Sequence, residues 1–230
     1  MPAKTDVPAF PGFVPETLKF LKALGFHQTR EWFEENRALY VSAVKEPMEA
    51  YVAALSQACA VKKVPLYGEP KRATFRIHRD ARFSKDKKPY KTNAGCVITR
   101  TGMKGSPGIV YTHVSPEGCF FAAGFYHPEP EQLAEMRKAI VKKPAAWLAV
   151  EKKLADAGLE LSMNEALKRN PQGFPEVDPR LVDAVRARNF IVRRPLPDKL
   201  LLDGGKLVEA AALFAKDALP LLQFGWKTMG

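Results

Sequence analysis

Apolar and polar positions along this chain change period twice. From Pro15 to Ala60 the apolar residues recur at helical spacing, from Phe75 they alternate with polar ones, and from Pro130 the helical period returns. "PETLKFLKAL", with Pro15 at a first helical position, and "TREWFEENRALYVSAVKE", with Thr29 as cap and acidic residues in the first turn, predict two helices. Pro47 opens a third, "PMEAYVAALSQACA", in which Met48, Tyr51, Val52 and Leu55 share a face. Phe75, Ile77, Ala81 and Phe83 then alternate with Arg76, His78, Asp80 and Arg82, which predicts a strand burying the first set and presenting the second. Arg79 alone breaks the parity. "GCVITRT", "GIVYTHV" and "GCFFAAGFY" add three strands separated by Gly and Pro, an antiparallel meander. "PEQLAEMRKAIVKK", "PAAWLAVEKKLADAG", "DPRLVDAVRARNF" and "GGKLVEAAALFAKDALPLL" read as helices. The expected fold is α+β: N-terminal helices, a central antiparallel meander, and C-terminal helices packed on it. One domain over residues 1–230 is expected, with 1–14 as an extended N-terminal segment.

Composition supports a folded chain. With 230 residues, 46 % hydrophobic and 27 % charged, one core could bury ~70 to 75 % of the unfolded chain's surface. No apolar run approaches the ~20 residues that span a bilayer, and "MPAKTDVPAFPGF" lacks the order of a secretory signal. A cytoplasmic protein with no membrane partner is therefore expected. Cys59, Cys96 and Cys119 are odd in number, far apart and set among apolar or small neighbours, so they read as core residues rather than as a disulfide framework or zinc site.

Charge narrows the search for a site. The net charge is +11, and 13 basic against 3 acidic residues fall between Val61 and Val114, a net +10, against −1 before and +2 after. Such a local excess attracts phosphates or nucleic acid, unless it is only a solvated face.

At the centre of that excess stands "FRIHRDARFSKDKKPYKTN". Arg76-x-x-Arg79-Asp80-x-Arg82-Phe83, followed by Asp86-Lys87-x-x-Tyr90, resembles the signature of a bacterial family, domain of unknown function 2461. Glu31-Trp32-Phe33, "SPEGCFFAAGFYHP" and "LKRNPQGF" are similar to further segments of that family in the same order. The resemblance implies one family-length domain and brings no activity with it.

The chemistry therefore follows from residue types. Arginine's planar fork suits bidentate contact with phosphate or carboxylate, so Arg76, Arg79 and Arg82 are candidate anion ligands. Lys85, Lys87, Lys88 and Lys91 would surround the same anion from a turn, with Tyr90 offering a ring or a hydroxyl. Asp80 and His78 are the candidates for proton transfer, and Asp80 could instead neutralise the arginines as part of a structural network. Lys168 and Arg169, ahead of Asn170-Pro171, form a secondary candidate patch at an expected helix end, with Asn170 as its cap; Arg186, Arg188, Arg193 and Arg194 are expected near a helix C-terminus. Trp32 is expected in the core.

No Gly-rich phosphate loop, nucleophile elbow or metal-ligand spacing appears, so no cofactor or metal is expected. His113 and Tyr111 share a strand face, but His78, His113 and His127 lack a ligand spacing. The leading expectation is a site on the sheet for a small phosphorylated or nucleotide-like anion. A nucleic-acid-binding module using the basic 61–114 region and a structural arginine–aspartate network are the alternatives. The nucleic-acid reading requires exposed aromatics, whereas Phe75 and Phe83 are expected in the core.

Overall fold

The computed structural model describes residues 9–80 and 87–229. Pro15 opens α1 (Pro15–Phe26), where its fixed φ and missing N–H cost nothing. The Thr29 side chain accepts from the Trp32 N–H and caps α2 (Arg30–Glu35). The single helix expected from Thr29 to Glu46 is interrupted at Asn36, whose side chain donates to the Trp32 carbonyl. Asparagine competes in this way for helical backbone groups. Beyond it come α3 (Arg37–Tyr40), a π-helical turn Val41–Lys45, and α4 (Glu46–Val61). Helix α4 buries Met48, Tyr51, Val52 and Leu55, the stripe predicted from their spacing. Trp32 is only partly buried; its neighbour Phe33, at 1 % exposure, takes the core position expected for the tryptophan.

After the short α5 (Pro70–Ala73), the meander forms as β1 (Ala94–Thr99), β2 (Ile109–Val114) and β3 (Cys119–Phe125). The fourth strand is not the described part of the expected 75–83 strand, residues 75–80; Ala81, Arg82 and Phe83 lie outside the described residues. The fourth strand is β4 (Phe190–Leu196), antiparallel to β3 at the far edge of a sheet ordered β1-β2-β3-β4. Thr74 and Phe75 touch the sheet through a Thr74–Cys96 bridge and a Phe75 N–H donated to the Gly95 carbonyl. Residues 77–79 pair instead with 89–91: the Lys91 N–H donates to Ile77 and the Arg79 N–H to Pro89.

Close approach of β3 to β4 demands glycine at position 124. Its φ is +131°, and a Cβ there would overlap the Phe190 carbonyl.

The remaining elements are α6 (Pro130–Lys142), α7 (Pro144–Asp156), a 3-10 turn Pro179–Leu181, α8 (Val182–Arg186), α9 (Asp198–Leu201), α10 (Gly204–Asp217) and α11 (Leu219–Thr228). Lys168, Arg169 and Asn170 lie in the irregular stretch between α7 and the 3-10 turn rather than at a helix end. Asn170 accordingly serves as acceptor for Arg186 Nε at 2.9 Å and caps no helix. Arg193 and Arg194 belong to β4, not to a helix C-terminus.

Strand parity divides the sheet into two faces. The inner face packs on α4, α10 and α11, with Tyr51 Oη within 2.9 Å of Thr112 Oγ1 and Phe121 stacked on Phe214 at 5.6 Å. Arg194 also points inward, where Asp217 meets it at 3.0 Å. The register places Gly95, Tyr111, His113, Phe120, Ala122, Arg193 and Pro195 on the other face. No helix among the described residues is long and apolar enough to cross a membrane.

Candidate functional site

Residues 74–78, just after α5, form one wall of a groove at the β1 edge of the sheet. The opposite wall comes from α2, α3, the π-helical turn and the start of α4. Its volume is about 590 Å³. Thr74, Phe75, Arg76, Ile77 and His78 line the first wall, Phe33, Arg37, Tyr40, Val41, Lys45 and Glu49 the second, and Lys71, Lys91 and Lys104 close it. The lining thus brings together Arg37, Lys45, Lys71, Arg76, Lys91 and Lys104 with a single carboxylate, Glu49.

Local forces hold the cations in place. Phe33 stacks on Tyr90 at 4.5 Å and meets the edge of His78 at 5.6 Å, so a buried aromatic pair anchors the wall that carries His78. The Tyr90 N–H donates to Gln28 Oε1 at 3.0 Å, tying the same stretch to the end of α1. Arg37 lies over the Phe33 ring at 5.5 Å and is held by Glu34 through bonds of 2.6 and 2.5 Å. That pairing lowers the Glu34 carboxyl pKa and raises that of Arg37. Lys104 donates to the Thr74 carbonyl at 2.7 Å and sits 5.2 Å from the Phe75 ring, with Lys91 5.6 Å from the same ring. Burial lowers the Lys91 pKa, and the cations of Arg76, Lys104 and Arg79 lower it further. A site where cations disfavour one another gains most from an anion.

Of the residues singled out by sequence, Arg76, His78 and Lys91 line this groove. Arg79, Asp80, Lys87 and Lys88 are exposed and stand outside its lining. Tyr90 is buried behind the wall against Phe33. Arg82 and Lys85, with Phe83 and Asp86, lie outside the described residues. Lys168 and Arg169 are exposed and line none of the groove. Ile77 is buried as the alternation requires, but Phe75 is 42 % exposed, contrary to expectation. Pairing of its N–H with Gly95 directs it to the outer face of the sheet rather than to the core.

Arg37, Lys45, Lys71 and Lys104 were missed by sequence reasoning. The first two sit on helices whose own pattern reports only an exposed face, and proximity to Arg76 arises from packing. Lys71 and Lys104 do fall within the basic 61–114 excess, which was the available signal.

The histidines stand apart. His78 is at the groove, His113 on β2 and His127 beside Tyr126, its N–H donating to Asn189. Among the described residues no three His, Cys, Asp or Glu side chains gather as metal ligands. A second hollow of about 400 Å³, bordered by Ala155, Gly158, Glu160, Ser162 and Arg193, sets one carboxylate against one guanidinium and has no comparable charge bias.

The fold and groove define an α+β protein with a four-stranded antiparallel meander and a cation-lined cleft at its first edge. A family model described as conserved hypothetical protein (DUF2461) matches residues 16–224, and the chain belongs to that family. No curated protein and no solved structure matches it.

Proposed function

We propose that the groove at the β1 edge binds a phosphate-bearing small molecule of the nucleotide or sugar-phosphate type. The observation that carries this reading is the lining itself: it sets six cationic side chains, of which Arg37 is paired with Glu34, beside one lining carboxylate, Glu49. Arginine at position 76 supplies the planar fork for a phosphate, and the lysines supply mobile point charges around it. Phe33, Tyr40 and Phe75 add apolar surface for the rest of such a ligand. His78, also in the lining, is the side-chain type suited to proton transfer should the ligand be turned over. Exposure of Arg76, Arg79 and Asp80 favours ligand contact over a buried arginine–aspartate scaffold.

Isothermal titration of the purified chain with pyrophosphate and with nucleotides tests the proposal. Saturable binding at low ionic strength is expected, weakened ~10- to 150-fold in Arg76→Ala and Lys91→Ala, the range expected for hydrogen bonds to charged groups. A ligand at about 100 times its Kd should also raise stability by about 2.7 kcal/mol. Absence of binding across pyrophosphate, nucleotides and sugar phosphates overturns the assignment.

A further inference from the structure

Phe75 belongs both to the groove and to the outer face of the sheet, and from it a strip of flat side chains crosses that face. Ring centroids of Phe75 and Tyr111 are 5.9 Å apart, and those of Tyr111 and Phe120 are 6.0 Å apart. His113 stacks on Phe120 at 4.5 Å and 15°, and the Arg193 guanidinium lies over the Phe120 ring at 3.7 Å. Tyr111, His113 and Phe120 are partly exposed, and Phe75 and Arg193 are exposed. The strip runs from the pairing segment across β1, β2 and β3 to β4, which carries Arg193, about 19 Å at ~4.8 Å per strand.

We infer that this outer face is a base-stacking platform and that the occupant is a single-stranded nucleic acid. Its bases lie on Phe75 and on the Arg193 guanidinium, and its phosphates follow the cations of the groove. The inference rests on the groove reading for the phosphate contacts. Two features select this occupant. One exposed ring, Phe75, and the exposed Arg193 guanidinium plane, joined across an antiparallel sheet by the partly exposed Tyr111, His113 and Phe120, offer flat surfaces that any unpaired base can cover. The Lys91 and Lys104 ammonium groups lie over the Phe75 ring at one end of the strip, so a base that covers this ring takes their place and leaves them beside it, where a phosphodiester backbone would pass. Glu117 near His113 and Glu160 near Arg193 moderate the charge at the other end, which places the backbone track at the Phe75 side.

Fluorescence anisotropy with labelled deoxythymidine and uridine dodecamers, beside a duplex of equal length and a pyrophosphate titration, tests the platform. Single strands are expected to bind more tightly than duplex, with affinity falling as salt rises. Phe75→Leu keeps an apolar side chain without a ring, and Arg193→Lys keeps the charge without the planar fork. Both side chains are exposed, so the variants fold, which melting curves check. Each should weaken single-strand binding about 5- to 150-fold, the range for loss of one stacked base. Pyrophosphate affinity should not change in Arg193→Lys, because Arg193 lies outside the groove lining. Phe75 lines the groove beneath Lys91 and Lys104, so for Phe75→Leu the loss of single-strand binding must exceed any loss of pyrophosphate binding. Equal oligonucleotide binding by wild type and both variants, or equal binding of duplex and single strand, overturns the platform and leaves the groove reading intact. Lack of oligonucleotide binding with pyrophosphate still bound, or with sedimentation showing that a second copy covers the face, overturns it as well. Lack of binding to either probe overturns both readings.

Discussion

Tyr111 lies directly over Gly95: a Cβ added to the glycine would come within 2.5 Å of the Tyr111 hydroxyl and 2.7 Å of its Cε2. The ring can lie flat across β1 only because position 95 carries no side chain. Gly95→Ala is therefore expected to displace the ring, break its 2.8 Å hydrogen bond to His113 Nδ1, and cost about 1 to 3 kcal/mol, as overpacking does. Chemical denaturation checks this, and adding Tyr111→Ala to Gly95→Ala should cost less than the two single changes together, because they share the contact.

His113 should impose a pH dependence on stability. Burial lowers its pKa, and the neighbouring Arg193 cation lowers it further, while Glu117 opposes them weakly. The unfolded chain then binds a proton that the folded chain does not, so stability rises with pH through the interval between the folded value and the ordinary histidine pKa of about 6.5. Above that interval the contribution is constant. Denaturation midpoints measured across this range should show the rise in wild type and a smaller one in His113→Gln; an unchanged slope in the variant would refute the assignment.

Asp80 is exposed, and its replacement should separate site from scaffold. Asp80→Asn is expected to change stability by less than about 1 kcal/mol, as for exposed ion pairs, rather than the ~3 to 5 kcal/mol of a broken buried pair. Removing a negative charge beside the basic groove should also tighten pyrophosphate binding. A large loss of stability with unchanged affinity would assign the arginine–aspartate motif to the scaffold.

Cys59, Cys96 and Cys119 are buried and free. Burial pushes the thiol pKa up to about 12 at Cys59 and Cys96 and to about 11 at Cys119. The thiolate is the reactive form. The native protein is therefore expected to resist a thiol-specific chromogenic reagent at neutral pH and to react at all three positions once unfolded. Stoichiometric labelling of the native chain would contradict this placement.

Local pattern was sufficient where neighbours in sequence decide the structure. Pro15 and Thr29 announce helix starts, the Met48, Tyr51, Val52 and Leu55 stripe follows from the helical period, and Gly and Pro separate three alternating runs into β1, β2 and β3. The charge excess at 61–114 likewise located part of the groove, through Lys71, Arg76, Lys91 and Lys104. Tertiary structure decided the rest. β4 contains Arg193, Arg194 and Pro195, a poor strand by composition, and an inward-facing arginine is tolerable there because Asp217 on α10 meets it. Phe75 has the parity of a core residue but is exposed, because its backbone bonds to Gly95. Arg37 and Lys45 join Arg76 only when the helices pack against the extended wall. Period and turn residues encode interactions a few positions apart, whereas strand partners and shared clefts depend on contacts between distant segments that no local window contains.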